Sequence, residues 1–236
     1  MIVSEIGLNH IGKIKLLNNY IDKLSQTKID AITLQILSEE DLKEKKLQYC
    51  HLENFEVDNF IKKVINKNKK VGLAVGDYRI LDNLKLLKKI NFFKVLSKDF
   101  KNTKLIKYLI KNTKAKIYMS TGLSISKDIF NFLKKYKSFK NRISLIYTNF
   151  DKDMSAINLT NIELMKNKYN INVSFGNHSH DKKMIYLSNV FSPESIFFYI
   201  KGNFKNQKIS FADDQHALKI NEIPKYIKKI QNIHKI

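Results

Sequence analysis

The chain has 236 residues, enough to bury one full core, and its 43% hydrophobic and 28% charged residues with only 2 Pro argue against a disordered chain. The formal charge of +21 comes from 43 Lys and Arg against 22 Asp and Glu, and Arg occurs only at Arg79 and Arg142. Lysine spread along helical segments, not gathered with Arg and aromatics in one stretch, reads as solvated helix faces and disfavours a nucleic-acid partner.

Along the chain, short apolar β-branched runs alternate with longer Lys-rich segments that carry Ile, Leu and Phe at helical spacing. This is the pattern of βα units around a parallel sheet. The spacing predicts strands over 2–6, 31–35, 71–75, 92–96, 116–120, 143–147, 172–175 and 195–200. Helices are predicted over 15–25, 57–68, 80–88, 103–112, 126–135, 159–168, 182–190 and 223–233. Eight of each predict a single-domain (β/α)8 TIM barrel of the α/β class over residues 1–236. The alternative, an open doubly wound sheet, usually opens on a Gly-rich phosphate turn, and Gly7-Leu8-Asn9-His10-Ile11-Gly12 lacks that spacing. The first residues show no basic leader region, and no apolar run approaches a membrane span, so no membrane partner is expected. The single Cys50 excludes an intrachain disulfide and fits a reducing, cytoplasmic setting.

In a parallel barrel the chemistry sits where strands end, because side chains from distant parts of the sequence converge on that face. Polar residues gather there: Glu5, Asn9 and His10 after strand 1, Gln35 after strand 2, and Lys94, Ser97 and Asp99 around strand 4. Ser120 and Thr121 follow strand 5, Thr148 and Asn149 strand 6, Asn177, His178 and His180 strand 7, and Asp213 and Asp214 strand 8. Strand 3 contributes little. Glu5 at the end of an apolar run is costly to bury without a partner, which favours a site role over a structural salt bridge. Lys94 either points into the barrel as an anion ligand or lies between helices, and alternation alone leaves both open. Two histidines in one loop, His178 and His180, read first as surface residues, although His216 and Asp213 could complete a metal site with them.

Taken in order, these segments resemble the N-acetylneuraminate (sialic acid) synthase family. The resemblance is carried by Glu5-Ile6-Gly7-Leu8-Asn9-His10-Ile11-Gly12, Asp30-Ala31-Ile32-Thr33-Leu34-Gln35 and Phe93-Lys94-Val95-Leu96-Ser97-Lys98-Asp99. Ser120-Thr121-Gly122-Leu123-Ser124, Ser174-Phe175-Gly176-Asn177-His178-Ser179 and the stretch from Asp213 to Glu222 complete it. It implies a TIM barrel enzyme that condenses phosphoenolpyruvate with an N-acetylmannosamine-like amino sugar into a nonulosonic acid, releasing phosphate. It further implies a divalent metal, manganese or magnesium, as cofactor, and a homodimer as the assembly. By matched position, Lys94, Ser97, Ser120 and Asn149 are expected around phosphoenolpyruvate, and Gln35 and Asp213 face the sugar. Glu5 and Asp99 are the expected catalytic acids, and His178 is one of two metal-binding histidines.

The chain departs from the family pattern at several places. Thr33 stands where the family usually has Lys, and Gly202 stands where the second metal histidine is expected. Gly176 replaces a usual Ser, the Tyr-Pro pair expected after Asn149 is absent, and no C-terminal antifreeze-like domain is expected. These departures motivate an alternative: a non-catalytic family member that binds a sugar or phosphate ligand.

Overall fold

Strand β1 (Ile2–Gly7) pairs in parallel with both β2 (Ala31–Gln35) and β8 (Ile196–Lys201), and that double pairing closes the sheet. Between them run β3 (Lys70–Val75), β4 (Phe92–Val95), β5 (Lys116–Ser120), β6 (Ile143–Thr148) and β7 (Val173–Gly176), each hydrogen-bonded to its sequence neighbours. Closure excludes the open doubly wound alternative and makes the chain a (β/α)8 barrel. The computed structural model describes residues 1–150, 157–202 and 213–233. A short ninth strand, β9 (Leu218–Lys219), pairs in parallel with the last residues of β8 and was not anticipated.

The outer layer holds α1 (Ile14–Ser25), the single turn α2 (Lys45–Gln48), α3 (Asn54–Asn66), α4 (Thr103–Asn112), α5 (Ser126–Lys135), α6 (Asn161–Tyr169), α7 (Lys183–Leu187) and α8 (Ile223–Asn232). Helical spacing puts one apolar stripe of each long helix on the barrel: Leu17, Tyr20, Ile21 and Leu24 of α1 are buried, as are Leu105, Ile106 and Leu109 of α4. The helix predicted over 80–88 is instead two 3-10 turns, Arg79–Asn83 and Leu87–Lys89. The cause is Asp58 on α3, whose carboxylate accepts from the backbone N–H groups of Lys85 and Leu86 at 3.1 and 2.9 Å. Those donors are thereby diverted from the carbonyls that would continue a helix.

Inside the barrel, Phe92, Tyr118 and Phe197 meet edge-to-face with centroids 5.4, 6.1 and 5.1 Å apart. With Val3, Ala31 and Ile146 they form a separate apolar cluster that fills the lower interior. It is a dry floor, so polar groups on the next layer toward the strand ends sit in low dielectric. After β1, Gly12 has φ +66°, and a Cβ there would lie 1.9 Å from the Tyr49 carbonyl oxygen. Only glycine fits this close approach of two backbones. Among the described residues, no helix is long and apolar enough to cross a membrane.

Candidate active site

Alternation along β4 sends Phe93 and Val95 to the helix-facing core and Phe92 and Lys94 into the barrel, which resolves the orientation the sequence left open. The Lys94 ammonium lies 2.8 and 2.6 Å from the two carboxylate oxygens of Glu5, and both side chains are only 2% exposed. The ammonium is also 5.2 Å from the centre of the Tyr199 ring and 5.6 Å from that of Phe197, so it rests on aromatic faces above the floor. Burial pushes the Glu5 carboxyl above its ordinary range, and the Lys94 charge opposes that shift. The pair is thus held in a water-poor site.

Beside it runs a chain of hydroxyls. Ser97 Oγ lies 2.8 Å from Ser120 Oγ, which lies 3.1 Å from Thr148 Oγ1, and the Gly122 N–H donates to Ser97 at 3.1 Å. Three consecutive strand ends, those of β4, β5 and β6, supply this row. A groove of about 610 Å³ adjoins it, with Thr121, Gly122, Thr148, Asn149, Asn161 and Lys168 among its walls. Asn149 therefore faces that groove. Gly176 lies against the same row, since a Cβ there would meet Thr148 Oγ1 and Ile146 Cγ2 at 2.9 Å.

Strand 3, which looked uninformative in sequence, ends on two site features. Gly76 leaves room for Asp99, whose Oδ2 would be 2.7 Å from any added Cβ. Asp77 is buried and accepts from the Arg79 backbone N–H and guanidinium, which holds its carboxyl below the usual range. The Asp99 carboxyl goes the other way, raised to about 6 by burial, with Asp41 and Asp77 adding to the rise and Lys98 opposing it. Its Oδ2 is buried without a hydrogen-bond partner. Lys98 is turned instead to Asp41, which Ser38 also binds. Asn102 caps α4 by accepting from Leu105 N–H at 3.1 Å and donates to the Gly76 carbonyl at 2.9 Å, tying the Asp99 turn to β3. Gln35, at the end of β2, is half-buried, and Thr33 is buried with its hydroxyl unpartnered.

The third group lies around β7 and β8. His178 is not a surface residue: its ring packs against Phe150, Tyr199 and His216, with centroids 4.9, 5.4 and 4.8 Å away. His180, in the same loop, is exposed as the sequence suggested. Burial lowers the His178 imidazole to about 2, with the Lys94 and His216 charges adding to it, so the ring is neutral. His216 Nε2 lies 3.4 Å from Asp213 Oδ1 and is buried with no hydrogen-bond partner. Asp213 is fixed by Asn9, whose Oδ1 accepts from the Asp213 N–H at 3.2 Å while its Nδ2 donates to the Ile200 carbonyl at 2.7 Å. A neutral His178 imidazole beside the unpartnered His216 Nε2 suits a divalent ion. Among the described residues no three His, Cys, Asp or Glu side chains close around such an ion, so a metal here would complete its shell with water and substrate oxygens.

This geometry, with acids, a buried lysine, hydroxyls and imidazoles all on the strand-end face, is accompanied by a match to the NeuB family over residues 20–236. The chain belongs to the NeuB family. Its fold is similar to that of N-acetylneuraminic acid (sialic acid) synthetase from Leptospira borgpetersenii serovar Hardjo-bovis, at a TM-score of 0.85 and 20% identity, over 98% of this chain and 82% of that one. It is also similar to the spore coat polysaccharide biosynthesis protein spsE of Bacillus subtilis, at 0.82 and 18%, over 98% and 67%. A truncated 3-deoxy-D-arabino-heptulosonate 7-phosphate synthase from Thermotoga maritima follows at 0.72 and 9%, over 98% and 85%. No curated protein matches the chain.

In this NeuB family barrel, Glu5 and Lys94 meet, Ser97 and Ser120 meet, and His178 and Asp213 both border His216. Asp99 stands in the turn after β4, Gln35 at the end of β2 and Asn149 after β6 on the wall of the groove. Tyr199 was not singled out from sequence, and Thr148 was placed at its strand end without a role. Tyr199 is the register partner of Glu5 on β8, a pairing that exists only once the sheet closes.

Proposed function

We propose that this protein condenses phosphoenolpyruvate with the open-chain form of an N-acetylmannosamine-like amino sugar, giving a nonulosonic (sialic-type) acid and free phosphate. The observation that carries this reading is the buried Lys94 cation, flanked by Glu5 and by the Ser97, Ser120 and Thr148 hydroxyls, in a NeuB family barrel. In the reaction the enol carbon bonds to the sugar's aldehyde carbon, water adds at the phosphate-bearing carbon, and the bond from that carbon to the phosphate oxygen breaks. Lys94 neutralises the anionic substrate in low dielectric, and Ser97, Ser120 and Asn149 hold it by hydrogen bonds. Gln35 and Asp213 orient the sugar. Glu5 and Asp99, both raised by burial, take and return protons on the water and the aldehyde oxygen. A manganese or magnesium ion bound at His178 would polarise that aldehyde.

The protein incubated with manganese, phosphoenolpyruvate and a panel of 2-acetamido sugars is expected to release phosphate. Absence of release from every sugar, by metal-replete protein, sinks the reading. The competing one, ligand binding without turnover, is favoured by Thr33, which places an unpartnered hydroxyl where the resemblance leads one to expect a cation. Turnover abolished by Glu5→Gln would dispose of it.

A further inference from the structure

The position expected to carry a second metal histidine is Gly202, which has no side chain and whose N–H donates to the Tyr20 hydroxyl at 2.8 Å. The structure brings a different histidine to the same neighbourhood. We infer that His216 supplies the second imidazole, so that His178 and His216 together bind one divalent cation. This deepens the proposed function by naming its metal site, while its test reads metal binding and not turnover.

Three observations support the assignment. The two ring centroids are 4.8 Å apart with the planes tilted by 43°. Two imidazoles bonded through nitrogen at about 2.1 Å to one ion, at a right or tetrahedral angle, hold their centroids roughly 4.5–5.5 Å apart. The observed separation lies within that range. Next, His216 Nε2 is buried and makes no hydrogen bond, an expensive state for a ring nitrogen that does nothing. Finally, the turn that carries His216 is fixed at both ends. Asp213 N–H is held by Asn9, Ala217 N–H closes the turn on the Asp213 carbonyl at 3.0 Å, and β9 follows at once, paired to β8. Tyr199 packs against both imidazoles, 5.4 Å from His178 and 5.1 Å from His216, and so braces the pair from one side. Asp213, whose Oδ1 lies 3.4 Å from His216 Nε2, either orients that ring or joins the shell through water.

The competing assignment is a structural His216–Asp213 ion pair with no affinity for metal. Titration of the 236-residue chain with manganese, followed by the electron paramagnetic resonance signal of free ion, separates the two. A cobalt titration followed in the visible adds a ligand-field signature. One ion per chain is expected for the unaltered protein. His178→Ala and His216→Ala should each weaken binding by about tenfold or more, while His180→Ala, in the exposed position of the same loop, should bind like the parent. His216→Gln, which keeps size and polarity, covers the case in which alanine disturbs the fold, and circular dichroism checks each variant. No binding by the parent, or parental binding by a folded His216 variant, overturns the inference. Metal binding that depends on both histidines without phosphate release would sink the proposed reaction and leave this site standing.

Discussion

The ammonium of Lys94 on β4 lies between the two carboxylate oxygens of Glu5 on β1, spanning the barrel between strands that are not neighbours. Removing one partner strands a charge in a water-poor interior, at a cost of about 3–5 kcal/mol, whereas removing both leaves no such charge. Lys94→Met and Glu5→Gln are each expected to lose stability on that scale, and the double variant to lose far less than their sum. Urea unfolding of the four proteins measures the coupling. Singles that cost under about 1 kcal/mol would mean that the pair is solvated.

Asp99 carries a stability penalty that depends on pH. Its carboxyl is raised to about 6, so the folded state binds its proton more tightly than the unfolded state does. Stability from this group is intact below about pH 4 and falls as pH climbs to about 6. Asp99→Asn should match the parent at pH 4 and exceed it by about 1–2 kcal/mol above pH 6, a figure discounted for partial exposure. Thermal melts at the two pH values test the sign. The same variant should lose turnover under the proposed reaction.

His10 predicts the opposite slope. It is buried, its Nδ1 accepts from the Gly12 N–H at 3.1 Å, and burial lowers its imidazole to about 4. The unfolded chain takes up the proton first, so stability is lost as pH falls from about 6.5 to about 4, by up to about 3 kcal/mol. His10→Gln should be less stable than the parent at neutral pH but flatter across that window. A parental slope in the variant would place the acid sensitivity elsewhere.

The hydroxyl row bears on catalysis. Ser97→Ala and Ser120→Ala each remove a group expected to bond an anionic substrate, worth about 1.5–3 kcal/mol. Each should lower kcat/KM for phosphoenolpyruvate by about tenfold to a hundredfold, mainly through KM, with stability changed by under about 1.5 kcal/mol. Steady-state phosphate release and chemical unfolding read the two effects separately. Unchanged kinetics in both variants would remove the row from the site.

Much of the architecture was written in local sequence. The period of two in runs such as Ile-Val-Ser-Glu-Ile and the period near four in the Lys-rich segments place eight strands to within one or two residues of those observed. They also place polar residues at strand ends, because a parallel barrel puts every strand end on one face. Tertiary structure alone decided the rest. Asp58 reaches across from α3 and breaks the helix expected after β3, through bonds to residues far along the chain. Lys94 finds Glu5 only because the sheet closes, and no short-range pattern records which of two faces a strand residue will present once a barrel forms. His216 meets His178 for the same reason: Asn9 and β8 fold its turn back over the mouth. Periodicity is a property of neighbours in sequence, whereas a site is a property of neighbours in space.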